Sequence, residues 1–206
     1  MIRRLLLIVV ILLLILPIAA SAVEMNEPTY TAEGPIHTNK QEIYHMIADK
    51  AREDGYTEDS DLIQLCKRLW AEEELSLNIV AKVIKYEAGG CPWLHRIAVG
   101  QVVMNRVRSD LFPNTVFDVV NQRSSWYDEN GQLHVVYQYS PAYCYNFEGI
   151  ERKFHEDAKF VMDGNAMDWY VPSDIIWQAE FPQGKETWWR SEVSTPYYHS
   201  VTYFCR

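Results

Sequence analysis

At 206 residues and 48% hydrophobic content, the chain holds material for one core of ordinary size rather than for several domains. Its formal charge of −9 excludes binding nucleic acid through a general basic field, which counts against a nuclease. No internal repeat or low-complexity tract is present.

Residues 1–22 stand apart from the body. Arg3 and Arg4 precede an apolar run over 5–18, Pro17 interrupts it, and Ala20-Ser21-Ala22 offers a small-x-small cleavage site. That order predicts an export signal peptide. Its removal would leave Val23 first and, with two arginines gone, take the charge from −9 to −11. The rival is an uncleaved membrane anchor through residues 5–22, because the apolar run is only a little short of a full span. Either way the body is expected outside the cytoplasm.

Residues 23–60 are expected to hold a linker and an N-terminal helix. The stretch 23–37 shows no periodicity. Thr38 suits the cap of a helix reaching about Glu53, with Ile43, Met46, Ile47 and Ala51 on one side and Gly55 as its end. The main domain is expected over 61–206. Asp59 or Ser60 starts its first helix, with Leu62, Leu65, Cys66 and Leu69 as the inner stripe. Glu72, Glu73 and Glu74 read as its solvated end.

Ser76 is a good N-cap for the next helix, in which Val80, Val83, Ile84 and Glu87 recur at i, i+3, i+4, i+7. Asn78, Lys82 and Lys85 fall on the opposite, wet face. Glu87 is thus a carboxylate in the phase of the core, in the last turn before Gly89-Gly90. The carbonyl end of a helix repels an anion, and partial burial disfavours the charge further. Both effects raise the pKa, as a general acid requires. The bland alternative is a solvated last-turn glutamate. After the glycines, Pro92 suits the first position of a helix that is apolar almost all round over 97–107. Leu94, Ala98, Gln101 and Asn105 form one stripe on it. Buried amides need partners, so they either face a polar cleft or tie down backbone, the second being the reading for Asn105.

Thr115 caps a short predicted helix over 116–121. Asn130-Gly131 then lies between β-rich runs at 125–127 and 133–139, a strong hairpin pattern. Residues 149–164 read as a helix with Ile150, Phe154, Ala158 and Val161 inward. Three strand-like runs close the chain, at 175–179, 187–189 and 201–204. Trp126, Trp188 and Trp189 are candidate sugar-stacking platforms, with core filling as the safer role for any one of them.

Cys66, Cys91, Cys144 and Cys205 make an even count, which in an exported chain suggests two disulfides, with Cys144–Cys205 preferred. Buried free thiols are the alternative. His134, His155 and His199 with Asp157 or Asp163 lack any recognisable zinc-ligand spacing, and no G-x-S-x-G is present. No metal is therefore assigned.

Three ordered blocks carry a resemblance. Tyr86-Glu87-Ala88-Gly89-Gly90, then the run from Ala98 through Asn105-Arg106-Val107, then Phe112-Pro113-Asn114-Thr115-Val116, is similar to the spore-cortex-lytic, cell-wall hydrolase family over about 76–206. The resemblance implies an α+β, mostly α domain related to lysozymes and lytic transglycosylases, with a small C-terminal antiparallel sheet. It implies cleavage of peptidoglycan glycan strands with Glu87 as catalytic acid and no metal or organic cofactor. Tyr137-Gln138-Tyr139-Ser140 resembles the family's Gln-Phe-Ser element, displaced by the hairpin. With Gln101 these residues are the candidate substrate-binding set. One departure stands at Gly90 or Cys91, where many members carry a second glutamate. An absent second carboxylate fits a transglycosylase, and it also leaves room for a wall-binding or spore-coat structural protein without turnover.

Overall fold

The computed structural model describes residues 34–166, 170–195 and 198–206. The predicted export segment and most of the predicted linker lie outside them. Among the described residues no helix is long and apolar enough to cross a membrane.

Helix α1, Asn39–Glu53, begins with a reciprocal cap: Thr38 Oγ1 accepts from the Gln41 amide, and Gln41 Oε1 accepts from the Thr38 amide. Its buried face runs through Gln41, Ala48 and Ala51, whereas Met46, expected inside, is exposed. Gln41 also donates to Glu74 at 2.7 Å, and Thr38 Oγ1 to Glu73 at 3.1 Å. Two of the three glutamates read as a solvated run therefore hold α1 against the next helix.

That next helix, α2, is one element of 28 residues, Asp61–Ala88, where the sequence suggested two. No Gly or Pro interrupts it, and its Leu, Glu, Ala and Lys are good helix formers. Ser76 does not cap. Its hydroxyl donates back to the Glu72 carbonyl at 2.9 Å, a bond available only in mid-helix.

Helix α3, Trp93–Arg108, is buried almost all round, with Pro92 as its N-cap rather than its first helical residue. Gly100 allows its close approach to both neighbours. A Cβ there would stand 2.8 Å from Ile84 Cδ1 and 3.0 Å from Val161 Cγ2, so α2 and α5 (Arg152–Met162) can press against it. Two buried polar links fix the packing. Arg96 Nε meets Asp157 Oδ2 of α5 at 2.7 Å, and His95 Nδ1 meets Ser191 Oγ at 2.8 Å.

Helix α4, Val116–Val120, is capped by Thr115. The predicted hairpin follows as β1, Arg123–Tyr127, paired antiparallel with β2, Leu133–Tyr137. Val135 and Val136 point to opposite faces and both are exposed, so neither face is covered. A 3-10 turn, Pro141–Cys144, leads on to α5. Strands β3 (Trp177–Ala179), β4 (Thr187–Thr195) and β5 (Tyr198–Cys205) make an antiparallel sheet of order β3-β5-β4. The chain is thus mixed α and β, about half helical, with small antiparallel sheets.

All four cysteines are buried free thiols, which corrects the expected disulfide pair. Cys144 Sγ is occupied by Asn121 Nδ2 at 2.9 Å, and Cys205 Sγ lies 3.6 Å from Thr187 Oγ1. They pack as small hydrophobic residues.

Candidate functional site

Glu87 sits in the last turn of α2, two residues before the helix gives way at Gly89. The stripe below it, Val80, Val83 and Ile84, is fully buried, and Glu87 itself emerges at the surface. Although part of the side chain reaches solvent, desolvation pushes its carboxyl above the ordinary value. Among the described residues it has no ion-pair partner to oppose that shift.

Two tyrosines are linked to it electrostatically. The Tyr143 hydroxyl, from the 3-10 turn, lowers the Glu87 pKa by less than burial raises it. The Tyr143 phenol is in turn pushed well up by burial and by the Glu87 charge. Its ring stacks on Tyr86 at 5.4 Å and 13°. Tyr139 is 3% exposed, its hydroxyl has no partner among the described residues, and burial, with a smaller effect of the Glu87 charge, raises its pKa.

Behind Tyr139 stands Arg106, fully buried. Its Nε donates to the Ile176 carbonyl at 2.7 Å, while Nη1 and Nη2 have no partner. The guanidinium lies 5.2 Å from the Phe112 ring centre, 5.4 Å from Tyr139 and 5.6 Å from Trp177. Cation–π contact takes the place of a counter-ion. Its field opposes the rise in the Tyr139 pKa, so a cation, a phenol and a carboxyl interact in sequence.

Gln101 is fully buried, and its Nε2 donates to Asn105 Oδ1 at 2.7 Å, leaving Oε1 unpartnered. Asn105 Nδ2 reaches the Pro172 and Ile175 carbonyls, each at 2.9 Å, so Asn105 ties down backbone. Tyr137, Gln138 and Ser140 are exposed, flanking buried Tyr139. The Ser140 carbonyl accepts from the Tyr143 amide at 2.9 Å. Of the candidate set, the structure thus brings Tyr139 into the field of Glu87 and joins Ser140 to the turn that carries Tyr143. Gln101 bonds instead within α3.

His134, His155, Asp157 and Asp163, considered for a metal, have other partners. His134 meets Asp128 at 3.0 Å, His155 meets Asn78 at 3.1 Å, and Asp163 meets Lys159 at 2.6 Å. Trp188 and Trp189 pack partly against the core, with Trp189 stacked on Phe204 at 5.2 Å. The Trp126 side chain lies outside what the structure describes.

A surface hollow of about 520 Å³ lies between α1 and α2, lined by residues including His37, His45, Asp49 and Trp70. It shares none of its residues with the surroundings of Glu87. Its charges pair among themselves, His45 with Asp49 and Lys50 with Glu53. Depth and reactive chemistry are in different places here.

Sequence reading missed Tyr143, Arg106 and Lys82. Pro141 marks a turn at Tyr143, and an arginine inside an apolar helical run is itself unusual. Lys82 gives no such sign, because its helical phase points to water.

The family described as Cell Wall Hydrolase matches residues 92–202, just over half of the chain. No curated protein and no solved structure matches it. Gln101 and residues 137–140 fall inside the matched segment, and Glu87 stands five residues before it. By this match the chain belongs to the cell wall hydrolase family.

Proposed function

We propose that this protein acts outside the cytoplasm and cleaves the glycan strands of peptidoglycan, on a lysozyme- or lytic-transglycosylase-like domain, with Glu87 as general acid and base. Family membership supports the wall as substrate. The observation that carries the chemistry is the partly desolvated Glu87 carboxyl at the end of α2, without a cation partner among the described residues and coupled to half-buried Tyr143.

In the first step the Glu87 proton passes to the glycosidic oxygen as the C1–O bond breaks, leaving an oxocarbenium-like centre and a carboxylate. The sugar's own 6-hydroxyl then attacks C1 and loses its proton to Glu87, which restores the acid and leaves an anhydro end. Water in place of that hydroxyl would leave a reducing end. Exposed Tyr137, Gln138 and Ser140, which flank buried Tyr139, would take the substrate, and Gln101 would support them from within α3. No cofactor is called for.

Digestion of purified sacculi by wild type and Glu87→Gln tests this reading. Wild type is expected to release muropeptides with anhydro-muramyl ends, and the variant to release at least ~10²-fold less. Products cut at amide bonds would overturn it. A protein that sediments with the wall and releases nothing would instead be a wall-binding or spore-coat structural protein.

A further inference from the structure

Lys82 is a buried ammonium with no carboxylate partner among the described residues. It is 8% exposed, and Nζ donates to three backbone carbonyls: Ala142 at 2.9 Å, Tyr145 at 2.5 Å and Asn146 at 2.8 Å. An ammonium has three donors, and all are used. The rings of Tyr86 and Phe147, 5.9 and 5.8 Å away, complete the surroundings. Asn146 has φ 51°, a left-handed conformation that asparagine adopts more readily than other residues with a side chain. One turn later on α2, Lys85 reaches the Gly149 carbonyl at 2.6 Å and Glu151 at 2.8 Å.

Burying a charge carries a desolvation cost that its bonds must first repay. An apolar side chain would cover this face of α2 without that cost, and three carbonyls in a surface turn could turn to water. The arrangement is therefore specific to the shape of the turn. That turn carries Tyr143, which stacks on Tyr86 and feels the charge of Glu87, both on the same helix as the lysine.

We propose that Lys82 is a positioning residue for the reaction: from five residues before Glu87 on α2, it fixes the turn at 142–146 so that Tyr143 is held against the Glu87 carboxyl. Helix α2 then carries both the acid and the clamp that keeps its partner in place. The inference rests on Glu87 being the acid.

The test compares Lys82→Met, Tyr143→Phe and the double variant, with sacculi as substrate. Tyr143→Phe removes the group that lowers the Glu87 pKa, so the alkaline limb of kcat/KM should move to higher pH. Lys82→Met should move it in the same direction, with a fall in kcat of about tenfold and little change in KM. The double variant should match the worse single variant rather than multiply the two losses. Amide exchange at 143–148 should quicken in Lys82→Met and not in Tyr143→Phe. Should Lys82→Met fail to fold, Lys82→Gln retains two donors and should shift the same limb by less. A wild-type pH profile in a folded Lys82 variant would overturn the proposal, as would multiplicative losses. If Glu87→Gln is inactive while Lys82 variants keep the wild-type profile, the clamp fails and the acid stands. If Glu87→Gln retains full activity, the acid itself fails.

Discussion

Arg96 and Asp157 form an ion pair inside the core, Nε to Oδ2 at 2.7 Å, with side chains 6% and 0% exposed. The pair joins α3 to α5, and Arg96 Nη1 also holds the Cys91 carbonyl at 3.2 Å, at the entry to α3. Removing one partner of a buried pair leaves an uncompensated charge, which costs about 3–5 kcal/mol. Asp157→Asn should therefore lower the unfolding free energy by that amount, read as a lower urea midpoint at unchanged slope. A midpoint within error of wild type would show that the pair contributes little.

The raised Glu87 pKa sets the pH dependence of the reaction. A general acid must carry its proton, so kcat/KM should fall as pH rises through the Glu87 pKa, and that limb should lie above the ordinary 4.5. The sign for stability is opposite to that of a salt-bridged carboxylate. Above pH 4.5 the unfolded chain ionises freely while the folded site resists, so Glu87 weakens the fold there. Thermal melts at neutral pH should show Glu87→Gln equal to wild type or more stable, even as activity is lost. An inactive variant that also melts much lower would point to a structural role.

His95 gives the fold an acid limit. Burial between Trp189 and Phe204 pushes its pKa down to about 4, against 6.5 for an ordinary histidine. Between those values the unfolded chain binds a proton that the folded chain refuses, so stability rises with pH across this window and falls as pH drops through it. The full difference is on the order of 3 kcal/mol, reached near pH 4. Urea midpoints measured from pH 7 to pH 4 should decline for wild type. They should decline less steeply for His95→Gln, which keeps a polar contact to Ser191 and loses the titration.

The cysteines offer a direct count. Four buried free thiols should react slowly in the native protein, where burial also pushes the Cys66, Cys91 and Cys144 thiols up. Denaturation without reductant should release four titratable thiols. None or two would restore the disulfide framework.

Elements with local patterns agree between sequence and structure. The Thr38 and Thr115 caps, the Asn130-Gly131 hairpin, and the inward stripe of Phe154, Ala158 and Val161 are each set within a few residues of chain. The place of Glu87 is of this kind too, because Gly89-Gly90 end α2 just beyond it and the apolar period brings it to the edge of the core. Local patterns failed where they gave a false boundary. Ser76 looks like a cap, but a helix continues wherever nothing breaks it, and α2 runs through.

The sequence by itself determined where the carboxyl stands and which helices carry it, since periodicity and stop residues act over one or two turns. Only the tertiary structure decided what surrounds it. Lys82 is in the wet phase of α2, yet it is buried because a turn 60 to 64 residues later folds over it. Tyr143 meets Glu87, and Arg106 meets Tyr139, only when the segments after α3 close onto the helices. A residue's helical phase tells which way it points; what it meets there depends on chain far away in sequence, and no local pattern records that.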